Sequence, residues 1–314
     1  MFVDTLPAHV EAINSTGLRI TGPILEGVVW ADARLPSQVA GMHPLIFLCV
    51  KALHTETAIA ALAPHLATNG VVVSAQNGLN EIAIERVVGR TRTVGCFVNF
   101  GADYQEPGLV QYSGRGSTVI GELDGALSTR IQGLHRLMQD FDPDVRLSQN
   151  IWGFLWGKLV YGALLFATAL TNDSIADVLE SPAARDVLTK LGQEIGSVAL
   201  AERIVTEAFD GFDPAAFCPG ALRQTIDGSF DDMVAHNRRS TKTHSGVWRD
   251  LAIRKRQTEV LAQLGPIVEI ANRHGLQVPL TVRLISLIQE IEAGQRGLSN
   301  GNLSALEKGE NREH

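Results

Sequence analysis

The chain has 314 residues, 45% of them hydrophobic and 19% charged, and a formal net charge of −7. That length accommodates two ordinary domains, and the composition is that of a folded globular protein rather than a disordered or fibrous one. The acidic balance argues against a nucleic-acid partner. Three widely spaced cysteines without a CxxC pair, Cys49, Cys96 and Cys218, argue against a disulfide framework and a metal site.

The first half alternates strand and helix patterns. Residues 1–4 read as the end of a strand, 7–14 as a short helix with Pro7 near its start, and 19–21 and 27–30 as short strands. PLIFLCVK (44–51) is a continuous apolar run, as expected of a strand covered on both faces, with Cys49 as a small core residue. A helix over 55–66, a buried strand over 70–74, a turn at Gln76-Asn77-Gly78, a helix over 81–88 and a strand over 93–99 follow. This βαβαβ rhythm predicts parallel strands with right-handed crossovers. Next, 108–112 and 117–122 read as a hairpin around Gly114-Arg115-Gly116; a helix over 128–141 and a short strand at 145–147 close the region.

From about Ile151 the pattern turns helical, over 151–170, 175–179, 183–208, 215–224, 250–274 and 281–293. The run 151–170 has the length of a membrane span, but Lys158 in its middle makes a buried core helix the better reading, so no membrane partner is expected. Gly275 sits where a C-terminal cap belongs, and Pro279 blocks continuation. Residues 295–314 are polar and read as a loose tail. The expected division is 1–148, 149–294 and the tail 295–314. The N-terminal residues show no basic and apolar leader pattern, so a cytoplasmic location is expected.

A doubly wound nucleotide fold leads its first strand into a GxGxxG turn that sets pyrophosphate on a helix N-terminus. The sequence contains none in that context; Gly114-Arg115-Gly116 lacks the third glycine and opens no helix. The chain therefore reads as a truncated Rossmann-like α/β domain, beginning at its second strand, followed by an all-helical domain. Asp4 then falls where such folds place the acid that bonds a ribose 2′-hydroxyl, or else it caps a turn.

Three places carry candidate chemistry. Asn77 ends a parallel strand, the edge at which open α/β sheets bind ligands, and offers both donor and acceptor. Lys158, in Trp156-Gly157-Lys158-Leu159, lies in an apolar helix where desolvation favours proton donation. Gly162, one turn on, leaves space beside it. Glu259 starts a helix after the basic run Arg254-Lys255-Arg256, itself either a solvated helix start or a contact for a phosphate or acidic substrate.

Together, Val73-Ser74-Ala75-Gln76-Asn77-Gly78-Leu79, Trp156-Gly157-Lys158-Leu159, Thr258-Glu259 and His274-Gly275-Leu276 resemble the ketopantoate reductase (2-dehydropantoate 2-reductase) family over nearly the whole chain. The resemblance implies a 6-phosphogluconate-dehydrogenase-like architecture and reduction of an α-keto acid by NADPH, as in pantothenate biosynthesis. It makes Lys158 the proton donor and Glu259 the acid that helps bind substrate and organise the site. It puts Lys51, Gln76 and Asn77 on the cofactor side. Asn77, Asn172 and Ser245 become substrate contacts. Asp4 would favour NAD(H) over NADP(H), and the missing glycine-rich turn would weaken either.

Two departures stand out. Family members that make pantoate carry asparagines one and two turns after the lysine; here those positions are Gly162 and Phe166, which fits a more apolar keto acid. The absent first strand, turn and helix admit an alternative, a cofactor-binding-deficient, non-catalytic relative or the product of a mis-called start. A homodimer through the apolar helical domain completes the expectations.

Overall fold

In the computed structural model, which describes residues 1–239 and 243–307, the chain divides into two compact units. One comprises Met1–Val50, His54–Gln76 and Asn80–Ile151; the other comprises Lys51–Leu53, Asn77–Leu79 and Trp152–His314.

The first unit is α/β. In chain order it contains β1 (Phe2–Val3), α1 (Pro7–Thr16), β2 (Leu18–Thr21), β3 (Gly27–Val29), β4 (Ala33–Arg34), β5 (His43–Leu48), α2 (Thr55–Leu62), β6 (Leu66–Ser74) and α3 (Asn80–Val88). There follow β7 (Thr93–Val98), β8 (Gly101–Glu106), β9 (Leu109–Gly114), β10 (Thr118–Glu122), α4 (Thr129–Gln139) and β11 (Arg146–Leu147). The main sheet has the order β11-β10-β7-β6-β5, with β5, β6 and β7 parallel, as the alternating pattern predicts. Successive side chains on a strand point to opposite faces. Val71 and Val73 of β6 accordingly pack with Ile131, Leu134 and Met138 of α4, while Val72 between them packs with Ile59 and Ile84 of α2 and α3.

β1 does not join this sheet. It pairs in parallel with β4 as a separate two-stranded piece, leaving β5 at the edge of the main sheet with Phe47 39% exposed. Cys49, just beyond β5, is exposed rather than a core residue; Cys96 on β7 is buried as expected.

The expected hairpin around Gly114-Arg115-Gly116 does not form. β9 pairs with β8 and β2 in a four-stranded sheet, whereas β10 lies antiparallel to β7 in the main sheet. The polar, exposed β8 carries little apolar alternation, so its claim on β9 is faint in sequence. Gly116 marks the crossing between sheets: a Cβ there would collide with the Asn99 carbonyl.

The second unit is built from helices: α5 (Ile151–Thr168, whose first residue closes the first unit), α6 (Ile175–Glu180), α7 (Pro182–Ala201), α8 (Arg223–Arg239), α9 (Gly246–Trp248), α10 (Val260–Arg273), α11 (Pro279–Glu292) and α12 (Gly301–Glu307). α5 has the length and composition of a membrane span, yet 72% of it is buried inside the fold, as a core helix requires. α7 ends at Ala201, and the expected helix over 215–224 is a 3₁₀ turn, Pro214–Phe217, followed by α8. Pro219 and Gly220 break the pattern between them. α8 buries Ile226, Phe230, Met233 and Asn237 at helical spacing on an otherwise charged helix. Pro279 opens α11, whose Leu280 and Thr281 backbone N–H groups donate to the Glu194 carboxylate at 2.8 Å, a charged cap for orphan helix donors.

The polar tail is not loose throughout. α12 buries Leu306 and Asn302, and Asn302 Nδ2 donates to the Leu170 carbonyl beyond the end of α5 (2.9 Å). A buried asparagine satisfying a main-chain acceptor gives this polar segment its order. Residues 308–314 of the expected tail lie outside the described residues.

Candidate active site

Lys51 and Ala52 follow β5 and belong to the helical unit. Lys51 Nζ donates to Asp250 Oδ2 (2.8 Å), and Ala52 N donates to Glu259 Oε1 (2.7 Å). Two consecutive residues are thus gripped by two carboxylates from one stretch of chain.

That stretch is not the single helix expected over 250–274. Arg249–Ile253 forms a π-helical turn, Lys255 sits at φ +46°, and α10 starts only after Glu259. The cause is Asp250. Its side chain accepts from Arg254 (3.0 Å) and Arg256 (2.9 Å), and its carbonyl accepts from Arg256 N, drawing the chain back instead of letting it continue as an α-helix. The basic run is therefore neither a solvated helix start nor unpaired, because two of its arginines converge on Asp250. Short π turns of this sort recur at functional sites.

Asp250 is buried while its three cationic partners are a third to a half exposed. Burial alone would raise its carboxyl; hydrogen bonds from Lys51, Arg254 and Arg256 outweigh that and hold it below the ordinary carboxylate range. A depressed carboxyl stabilises the fold above its unfolded value, and that contribution is lost as pH falls through the folded value. Asp250→Asn is therefore expected to cost about 2 kcal/mol at neutral pH, a buried-pair loss discounted for the exposed partners. The deficit relative to the parent chain should shrink in acid. Urea unfolding at neutral and acid pH checks this; an equal deficit at both would dissociate the loss from ionisation.

Lys158 lies on α5, half-buried between the buried Gly157 and Leu159. One turn on, a Cβ at Gly162 would meet only Gln263 Oε1, at 3.9 Å. Gln263 lies on α10 one turn after Glu259. Phe166, one turn further along α5, is buried in the core.

The remaining expected residues are spread more widely. Asn77 is exposed beyond the end of β6 in the turn with Gly78, and it belongs to the helical unit. Gln76 is turned inward: Nε2 donates to the Val50 carbonyl (2.7 Å) and Thr55 Oγ1 (2.8 Å), so its carboxamide braces the sheet edge. Asp4 is exposed beyond β1 and accepts from Leu6 N (2.8 Å), the turn-capping alternative. Ser245 caps α9, accepting from Trp248 N (3.2 Å). Asn172 is exposed after α5, where its carbonyl accepts from His244 Nε2 (3.1 Å). Asp250 and Gln263 were not among the expected site residues. A helical reading of 250–274 hides Asp250 as an ordinary first-turn acid, and a lone glutamine among apolar residues carries no motif.

A parallel α/β unit followed by a helical unit is the layout of the two-domain dehydrogenase class. Residues 1–125 match the family model "Ketopantoate reductase PanE/ApbA", and residues 150–292 match "Ketopantoate reductase PanE/ApbA C terminal". The chain belongs to the ketopantoate reductase family, a family of oxidoreductases. It is 28% identical to the 2-dehydropantoate 2-reductase of Pyrococcus abyssi, over 91% of this chain and 87% of that one. Among solved structures, a PanE/ApbA family ketopantoate reductase from Ralstonia eutropha JMP134 superimposes with a TM-score of 0.77 at 25% identity, covering 94% of this chain and 91% of the other. D-mandelate dehydrogenase, solved with NADH and anilino(oxo)acetate, shares the fold with a TM-score of 0.77 at 20% identity, over 93% of this chain and 90% of that one.

Proposed function

We propose that this chain reduces an α-keto acid, 2-dehydropantoate or a close analogue, to the corresponding 2-hydroxy acid. The observation that carries the proposal is the double grip on residues 51–52. Lys51 on Asp250 and Ala52 on Glu259 fix a strand-end segment against the acid that begins α10. The reduced nicotinamide, when bound, supplies a hydride to the keto carbon. Lys158 gives its proton to the keto oxygen as the negative charge develops there, completing the alcohol. Glu259 holds the Ala52 amide and orders the wall beside the substrate. Asn77 orients the reacting groups by donating and accepting, Ser245 and Asn172 flank the substrate, and Lys51 balances charge on the cofactor side.

Lys51 and Asn77 follow neighbouring parallel strands and suit the nicotinamide end of the cofactor. Asp4 beyond β1 favours NADH, because a 2′-phosphate would be repelled. On this reading residues 1–148 form the cofactor part and 149–294 the catalytic part.

A second reading takes a bulkier apolar keto acid as substrate, favoured by the open space at Gly162. The test uses the purified chain with millimolar NADH or NADPH and a panel of 2-dehydropantoate, trimethylpyruvate and phenylglyoxylate. Keto-acid-dependent oxidation of the cofactor is expected, faster with NADH. No oxidation with any acid, under conditions where a thermal shift shows cofactor bound, would overturn the proposal.

A further inference from the structure

The four-stranded sheet ends on β8 at one side and on β3 at the other, and the two edges are built differently. β8 carries Asp103 and Glu106 and breaks register with β9 at two points, the charge and irregularity that keep a natural edge from pairing. β3 has neither. Its register with β2 is unbroken, and Gly27-Val28-Val29-Trp30-Ala31 contains no charge and no proline. All of β3 is exposed, and Leu25 and Trp30 on either side of it are 52% and 69% exposed. Val28 and Trp30 lie over Gly17, where a Cβ would come within 2.5 Å of the first and 3.4 Å of the second, so the helix end backs the patch. Beyond the ladder with β2, no backbone group of residues 24–31 makes a hydrogen bond among the described residues. Alternate residues of an antiparallel ladder turn their N–H and C=O groups outward, so main-chain donors and acceptors stand open beside apolar side chains.

We propose that β3 is a contact between two copies of this chain, paired antiparallel about a two-fold axis at Val28, so that their two sheets run on as one. The residues around the strand favour this occupant. Acids flank the uncharged run at Glu26 and Asp32. A parallel copy in register would set each acid against itself. In an antiparallel pair hydrogen-bonded and non-hydrogen-bonded residue pairs alternate, so a two-fold axis must pass through a residue and its own copy. Centred on Val29, the pairing would oppose Glu26 and Asp32. Centred on Val28, the midpoint of β3, it opposes Val28 to itself and Glu26 to Trp30 of the partner subunit, whose indole N–H suits a carboxylate. One short strand and its flanking side chains bury less than the ~1,200 Å² at which standard interfaces begin, so the dimer is weak and depends on concentration.

Sedimentation velocity of the purified chain from about 10 μM to about 1 mM, a range suited to a small interface, should show the mass rising from one chain toward two. Val28→Lys and Val28→Glu each set like charges face to face across the axis and should weaken association at least about tenfold. Mixed in equal amounts, the two variants should associate again, because lysine then faces glutamate. Val28 is half-exposed, so both variants should keep the parent's melting temperature. Trp30→Ser, at the most exposed side chain of the patch, should weaken association in the same direction and carries the test if a charged variant fails to fold. A parent chain that stays monomeric at the highest concentration would overturn the proposal. So would association that persists undiminished in the variants, or folded charged variants that do not associate when mixed.

Discussion

Replacing Lys158 with alanine is expected to lower kcat/KM for keto-acid reduction roughly a thousandfold, with the fold intact. The magnitude is the usual contribution of a positioned proton donor. Hydride addition to a keto carbon puts a full negative charge on oxygen unless a proton arrives with it, and an ammonium beside that oxygen supplies both the charge and the proton. The position suits the task. α5 is mostly buried and makes the platform rigid, while Lys158 itself is only half-buried between fully buried neighbours. Alanine is the best helix former, so the substitution removes the amine without disturbing the helix. Lys158→Arg separates the two parts of the role. It keeps a cation at the site, but guanidinium does not release its proton in the working range, and its bulk is wrong for the geometry. The arginine variant should therefore bind keto acid better than the alanine variant and turn it over little faster. The check is steady-state kinetics across pH, with circular dichroism as the control for folding. Unchanged turnover in Lys158→Ala would remove the lysine from the chemistry.

What could be read from sequence, and what could not, follows from how each feature is encoded. The parallel strands around 43–48, 66–74 and 93–98 announce themselves because strands buried on both faces must be continuously apolar. α5 is legible for the same reason, and its lysine stands out against that background. The grip on residues 51–52 is not legible, since it joins positions about two hundred apart through Asp250, an acid with no motif of its own. The π turn at 249–253 and the left-handed Lys255 follow from that same side chain and are equally silent. Strand partners fail where the strand is exposed: β8 is polar enough to pass for loop, so the sequence pattern pairs β9 with β10 instead of β8. α12 fails for a related reason, because it is anchored by only two buried residues, Asn302 and Leu306, rather than by an apolar stripe.

A glutamate hidden in the first unit leads to the second large effect. Glu81, in the first turn of α3, is fully buried, and neither carboxylate oxygen has a hydrogen-bond partner of good geometry. Burial pushes its carboxyl up to about 8; its own backbone N–H and the Ser74 hydroxyl offset this only in part, and the nearby Glu85 adds to it. The polar side chains about it, Ser74, Gln76, Thr55 and Asn80, are tied to one another: Ser74 and Thr55 donate to Gln76 and Asn80 respectively, and Gln76 donates to Thr55. The folded protein therefore holds Glu81 protonated where the unfolded chain ionises it. With a raised carboxyl, stability is fully present below the unfolded value, near 4.3, and is lost progressively as pH rises to about 8. Over that window the loss amounts to roughly 3–5 kcal/mol. Glu81→Gln, a neutral isostere of the protonated acid, removes this dependence. Variant and parent should unfold at similar urea concentrations near ~pH 4, whereas near ~pH 8 the variant should be the more stable by that amount. Parallel pH profiles for the two proteins would show that Glu81 is already ionised in the fold and held by a partner not seen among the described residues.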